Sequence, residues 1–165
     1  LFEFRRGQNQ YRPILLKISP DLTDEQIDIM TDIMLDTPLD GIVACAGTTG
    51  RYGLENSKNT MHSLGRIPGA LCGRPLKERA REVVSRIHER SKGTYPIIGC
   101  GGIATADDAL AMLEAGATLV QVGTEYIYGG GKAIRDMRAG LNERLRKAAQ
   151  RAAQSQTTEN TQEND

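Results

Sequence analysis

No internal repeat, no run of about 18 apolar residues and no cluster of about five basic side chains occurs in this sequence. The missing repeat leaves a single globular unit. The missing apolar run, with no charged-then-apolar leader, argues against a transmembrane span and a signal peptide. Charge of one sign is also lacking: 21 basic and 21 acidic side chains give a formal net charge of zero. A nonspecific nucleic-acid or membrane-surface role therefore has no electrostatic support, and small-molecule chemistry is favoured. Cysteine is scarce. Cys45, Cys72 and Cys100 are odd in number and far apart, which excludes a disulfide framework and a CxxC metal site and points to a reducing compartment. The two histidines, His62 and His88, are not placed to activate a thiol, so the cysteines read as small buried hydrophobes. No HExxH, GxSxG or GxxxxGKS string is present, and "GCGG" lacks the third glycine of a dinucleotide fingerprint.

What is there is a 165-residue chain, 39% hydrophobic, able to bury a sizeable core. Its opening, "LFEFRRGQNQYRP", has no initiator Met and reads as the end of a helix and a linker over residues 1–12, as in a fragment. "PILLKI" (Pro13 to Ile18) is a short apolar run between prolines, as expected of a buried parallel strand. A helix follows, with Thr23 and Gln26 in capping-box register and Ile27, Met30, Ile33 and Met34 on one face. "LDGIVACAG" (Leu39 to Gly47) is a second strand. Thr48 to Pro68 carries no period and is rich in Gly, Asn and Ser, the length and composition of a lid or binding loop. A helix from Lys77 to Arg90 turns Ala80, Val83, Val84 and Ile87 inward. "YPIIGCGG" is the third strand. Thr105 and Asp108 then cap a helix that Gly116 ends, and "TLVQVGT" is the fourth strand. A last helix is expected over Ala133 to Arg151, and residues 152–165 read as a disordered tail, with no aliphatic residue to bury from Gln154 on.

Strands alternating with helices, each strand apolar, mean a parallel α/β fold: a doubly wound sheet or half of a (β/α)8 barrel. Ligands of such folds lie at the carboxyl ends of the strands. The first exit brings Lys17, whose ammonium in an apolar run needs an anion, an electron-rich ring or a structural carboxylate. The second brings Cys45, Ala46, Gly47 and Thr48, small residues that clear space. The third brings Gly101 and Gly102, and the fourth Gly123 and Thr124. Two neighbouring glycine-bearing exits can aim several amides at one phosphate, although the same glycines can also serve tight strand-to-helix turns.

The strings "PILLKISPDLT", "LDGIVA", "GRPLKERAREVV", "YPIIGCGGI", "DALAMLEAGATLVQV" and "YIY", in this order, resemble the C-terminal half of class 2 (quinone-linked) dihydroorotate dehydrogenase. The resemblance spans about Pro13 to Leu145. It implies the C-terminal half of a TIM (β/α)8 barrel with FMN as cofactor, dihydroorotate and orotate as substrate and product, and quinone as acceptor. It implies a cytoplasmic protein, peripheral to the inner face of the cell membrane through a part preceding Leu1. Carried onto this sequence, Lys17 matches a flavin-ring contact, Cys45 stands where a threonine touches FMN, and Gly73, Gly101, Gly102, Gly123 and Thr124 match the phosphate side. Ala46 and Gly47 stand where an asparagine and a hydroxyl bind orotate, and Glu125 replaces a glycine after the last strand. The resemblance places the catalytic serine upstream of Leu1, leaving no catalytic residue and no metal site in this chain. A noncatalytic flavin- or phosphate-binding module and a different FMN barrel are the alternatives.

Overall fold

The computed structural model describes residues 1–51, 54 and 68–162, with side chains as far as residue 150. Most of the expected loop from Thr48 to Pro68 lies outside the described residues. Four strands, β1 (Leu15–Ile18), β2 (Gly41–Ala44), β3 (Ile97–Cys100) and β4 (Leu119–Gln121), form one sheet in sequential order. All three pairings are parallel, with Lys17 opposite Val43, Ala44 opposite Gly99, and Cys100 opposite Gln121. Between and around them run α1 (Phe2–Arg6), α2 (Asp24–Leu35), α3 (Lys77–Arg90), α4 (Ala106–Glu114) and α5 (Thr124–Gln162). Sequential parallel order with a helix in each crossover is the winding of a (β/α) barrel rather than of a doubly wound sheet, whose order reverses.

Local signals position these elements. Thr23 accepts from the Gln26 amide while the Gln26 side chain takes the Thr23 amide, and Thr105 and Asp108 repeat the exchange at α4. Ala80, Val83, Val84 and Ile87 on α3 are all fully buried and pack with Ile42 and Ile97 of the central strands. On α2 the inner face is Ile27, Thr31 and Met34, with Met30 partly buried; Ile33 is exposed, a correction to the expected face. Six residues past Ile27, at about 100° per residue, Ile33 falls well off the stripe.

The last helix also departs from expectation. The span Thr124–Gln162 joins two helices across Gly130: a short one before it, which was not expected, and the expected one after it, whose bounds reach Gln162, beyond the expected end at Arg151. At Gly130 the chain leaves helical geometry (φ 58°, ψ −159°), so residues 124–129 form a short helical stretch of their own and a second helix runs on from there. No glycine or proline follows Gly140 to stop it.

An ionic ladder that sequence pattern did not reveal ties α3 to the turn after β1. Arg79 donates to the carbonyl oxygens of Pro20 (3.1 Å) and Leu22 (2.8 Å) and pairs with Asp24 (3.0 Å). Arg86 forks onto Asp28 (2.7 and 2.8 Å), and Arg90 onto Asp32 (2.8 and 2.5 Å). The carbonyl bonds hold the β1 exit against the N-terminal turn of α3. No helix among the described residues is long and apolar enough to cross a membrane.

Candidate functional site

The strand exits open into one cavity of about 700 Å³. From β1 it receives Lys17, and from the β2 exit Cys45, Ala46 and Gly47. The β3 exit brings Gly101 and Gly102, the β4 exit Gly123 and Thr124, and the segment before α3 adds Gly73. Every site residue expected from sequence thus lies at one rim, as parallel crossovers of one hand require.

Their settings differ from those expected. Lys17 is exposed at the cavity mouth rather than buried, because β1 is an edge strand whose cavity side is open. Among the described residues it has no carboxylate partner, so the structural-carboxylate alternative fails there. Cys45 is buried, and desolvation pushes its thiol up to about 12, the nearby Cys100 adding to the shift and the Arg79 and Lys17 cations opposing it. A thiol held there is neutral at pH 7. Cys100 is half-buried and also pushed up, chiefly by burial. Cys72 is exposed, which corrects the reading of all three cysteines as buried. Its neighbour Leu71 forms an isolated antiparallel bridge with Thr48 (2.7 and 3.0 Å), and this leaves residue 72 on the open side.

The glycines have separate causes. Gly73, Gly101 and Gly102 hold φ of 91°, 127° and 70°, a region that side chains disfavour. A Cβ on Gly102 would lie 2.5 Å from the Lys77 amide nitrogen, and one on Gly101 would lie 2.9 Å from the Ala80 Cβ. The β3 exit is therefore glycine because the first turns of α3 press against it. A Cβ on Gly123 would meet nothing within 4 Å. Among the described residues no acceptor is shown for the amides of Gly102, Thr124, Glu125 or Tyr126, which leaves donors at two adjacent exits.

Two carboxylates that sequence inspection did not single out for the site hold this frame. Asp21 accepts from the Thr49 amide and hydroxyl (each 2.8 Å) and from the buried Thr48 hydroxyl, fixing the chain just after Gly47. Burial works to raise its pKa, but these hydrogen bonds outweigh it and hold the carboxyl below its ordinary value. Asp108 is buried, accepts from the amides of Ala104 (3.1 Å) and Thr105 (2.9 Å), and pairs with Lys77 at 2.5 Å. Burial again pushes upward and is outweighed by Lys77 and the amides, so its pKa is lowered. The pair links the cap of α4 to the residue that abuts Gly102. A depressed carboxylate stabilises the fold above its unfolded pKa of about 4, and that contribution is lost as pH falls through the lower folded value. Asp108→Asn is accordingly expected to cost about 1–3 kcal/mol and to flatten the acid limb of stability against pH. Denaturant unfolding from pH 7 down to pH 3 measures both.

Parallel βα units in sequential order whose exits converge on one cavity define a (β/α)-barrel protein. Residues 4–145 match the family described as Dihydroorotate dehydrogenase, and the chain belongs to that family. It is 45% identical over 134 residues to a dihydroorotate dehydrogenase (quinone) of Christiangramia forsetii, covering 81% of this chain and 37% of that protein. With the enzyme of the same name from Thermosynechococcus vestitus it shares 46% identity over 134 residues, 79% of this chain and 36% of that one. A crystal structure of the Eimeria tenella protein DHODH in complex with ferulenol superposes with a TM-score of 0.76 at 36% identity, covering 86% of this chain and 37% of that one. The chain thus spans a little over a third of the length of these relatives. The family implies a flavin cofactor.

Proposed function

We propose that this chain supplies the cofactor half-site for FMN-dependent oxidation of dihydroorotate to orotate, with a quinone as electron acceptor. The observation that carries the reading is the pairing of a free amide at Gly102 with those at Thr124 to Tyr126, on adjacent exits of one cavity. β1 and β4 are separated by three interstrand spacings, roughly 14 Å, which suits an elongated ligand with a cationic contact at Lys17 and an anion at the glycines. A bound flavin would supply the hydride-accepting chemistry. Gly73, Gly101, Gly102, Gly123 and Thr124 would hold its phosphate end, Lys17 its ring, and Cys45 a neutral, desolvated wall beside it. Ala46 and Gly47 form the surface facing the substrate. Cys45 cannot act as a general base with its pKa raised so far.

A second reading, a flavin-binding module without catalysis, is favoured by one observation: Ala46 and Gly47 present no polar side chain to the cavity. One experiment separates the two. Flavin absorbance of the purified protein reports binding, and anaerobic addition of dihydroorotate should bleach it for the enzyme and leave it unchanged for the module. Absence of flavin after reconstitution with FMN would end both readings.

A further inference from the structure

Arg79, Arg81, Arg86 and Arg90 of α3 each pair with a carboxylate. Arg74, just ahead of them, does not. Among the described residues its side chain makes no ion pair and no hydrogen bond, yet it lines the cavity. Its mount is fixed: Gly73 precedes it at φ 91°, Pro75 follows it in a 3-10 turn, and the buried Leu76 closes that turn by donating to the Gly73 carbonyl oxygen at 3.0 Å. Gly73 also sets its place along the cavity. A Cβ on Gly73 would lie 3.1 Å from the Thr124 Cγ2, and consecutive Cα atoms are about 3.8 Å apart, so Arg74 stands one residue from the contact with the β4 exit. Lys17, the other cation lining the cavity, belongs to β1 at the opposite flank of the sheet. Lys77 is held by Asp108 and does not line the cavity. Among the described residues Glu125 is the one acidic side chain lining it, and its carboxylate is turned toward Gly129, with Oε1 3.3 Å from the place a Cβ there would occupy, and not paired with Arg74. The β4 end of the cavity thus carries a guanidinium that no protein group neutralises.

We infer that Arg74 is a specificity-determining residue of this cavity: its guanidinium engages the phosphate of a flavin, so that FMN is preferred over unphosphorylated riboflavin. The inference rests on the flavin reading above. A guanidinium offers two parallel N–H donors and a full positive charge to a phosphate, whereas backbone amides bring donors without net charge. Riboflavin and FMN share the ring and ribityl chain and differ only in the phosphate, so the ratio of their affinities isolates that end of the site. Arg74→Gln keeps a polar side chain and removes the charge, and because Arg74 has no protein partner the substitution should leave the melting temperature where it is. Flavin fluorescence titrations of the full chain, wild type and R74Q, provide the test. R74Q should weaken FMN about 10-fold and leave riboflavin unchanged, and high salt should shrink the difference between the two proteins. If R74Q leaves FMN unchanged, or moves both flavins equally, the inference is overturned while the flavin reading stands. If neither protein binds either flavin, the flavin reading is overturned and takes the inference with it.

Discussion

Replacing Gly102 by valine should empty the protein of flavin and also lower its stability, whereas Gly123→Val should empty it at almost no cost in stability. The contrast follows from where each side chain would go. At Gly102 the backbone has φ of 70°, and a Cβ would stand 2.5 Å from the Lys77 amide nitrogen. Holding a branched residue in that region costs about 1–2 kcal/mol, and displacing packed backbone adds about 1–3 kcal/mol. For a domain of this size, a loss of about 3 kcal/mol lowers the melting temperature by roughly 6–12 °C. The neighbour that has to move is the first residue of α3, which Asp108 ties to the cap of α4, so the donors of the β3 exit move with it. At Gly123 φ is not positive and a Cβ meets nothing, so valine would project into open cavity and compete only with a ligand. Flavin-to-protein absorbance ratios and thermal melts of the two variants make the measurement. Full flavin content in Gly102→Val would show that the β3 exit takes no part in holding the cofactor.

The same residue shows what sequence could and could not reveal. Features with local causes were legible: the capping boxes at Thr23 and Thr105 need only three residues of context, and the buried face of α3 is a period within one helix. The convergence of Lys17, Cys45, Gly102 and Gly123 was legible as well, because parallel order alone puts strand exits together. The cause of Gly102 was not. Its constraint comes from Lys77, 25 residues earlier in the sequence, and glycine for a ligand looks the same in sequence as glycine for a helix. Arg79 could not be read for a similar reason: its acceptors are main-chain carbonyls at Pro20 and Leu22, which carry no side-chain signature. The short helical stretch from Thr124 was hidden by the three glycines that follow it, where the chain leaves helical geometry at Gly130 before the last helix resumes. Lys17 was expected to be buried because its neighbours are apolar, but burial of an edge-strand residue depends on what lies beside the strand.

Ala46→Asn should leave flavin content unchanged and tighten orotate by roughly 10- to 100-fold, the scale of about 1–3 kcal/mol for one newly satisfied buried polar group. The position is well prepared for it. The Ala46 amide donates to the Ile18 carbonyl oxygen at 2.8 Å, which fixes the backbone on one side, and the bonds from Thr48 and Thr49 to Asp21 fix it on the other. A side chain added between two such anchors loses little freedom on binding. Gly47 is not the place to add one: a Cβ there would lie 2.7 Å from the Cys72 sulfur and 2.9 Å from the Ala70 Cβ, so a hydroxyl-bearing residue would disturb the segment that leads to Gly73. Asparagine at 46 brings both a donor and an acceptor to the surface where the substrate would lie, and does so away from the glycines assigned to the phosphate. Orotate titrations followed by the flavin absorbance shift, in wild type and in Ala46→Asn, give the two affinities directly. Tight binding by the wild type that the substitution weakens would mean that this cavity recognises its substrate through other contacts, and that Ala46 and Gly47 are not its substrate-facing surface.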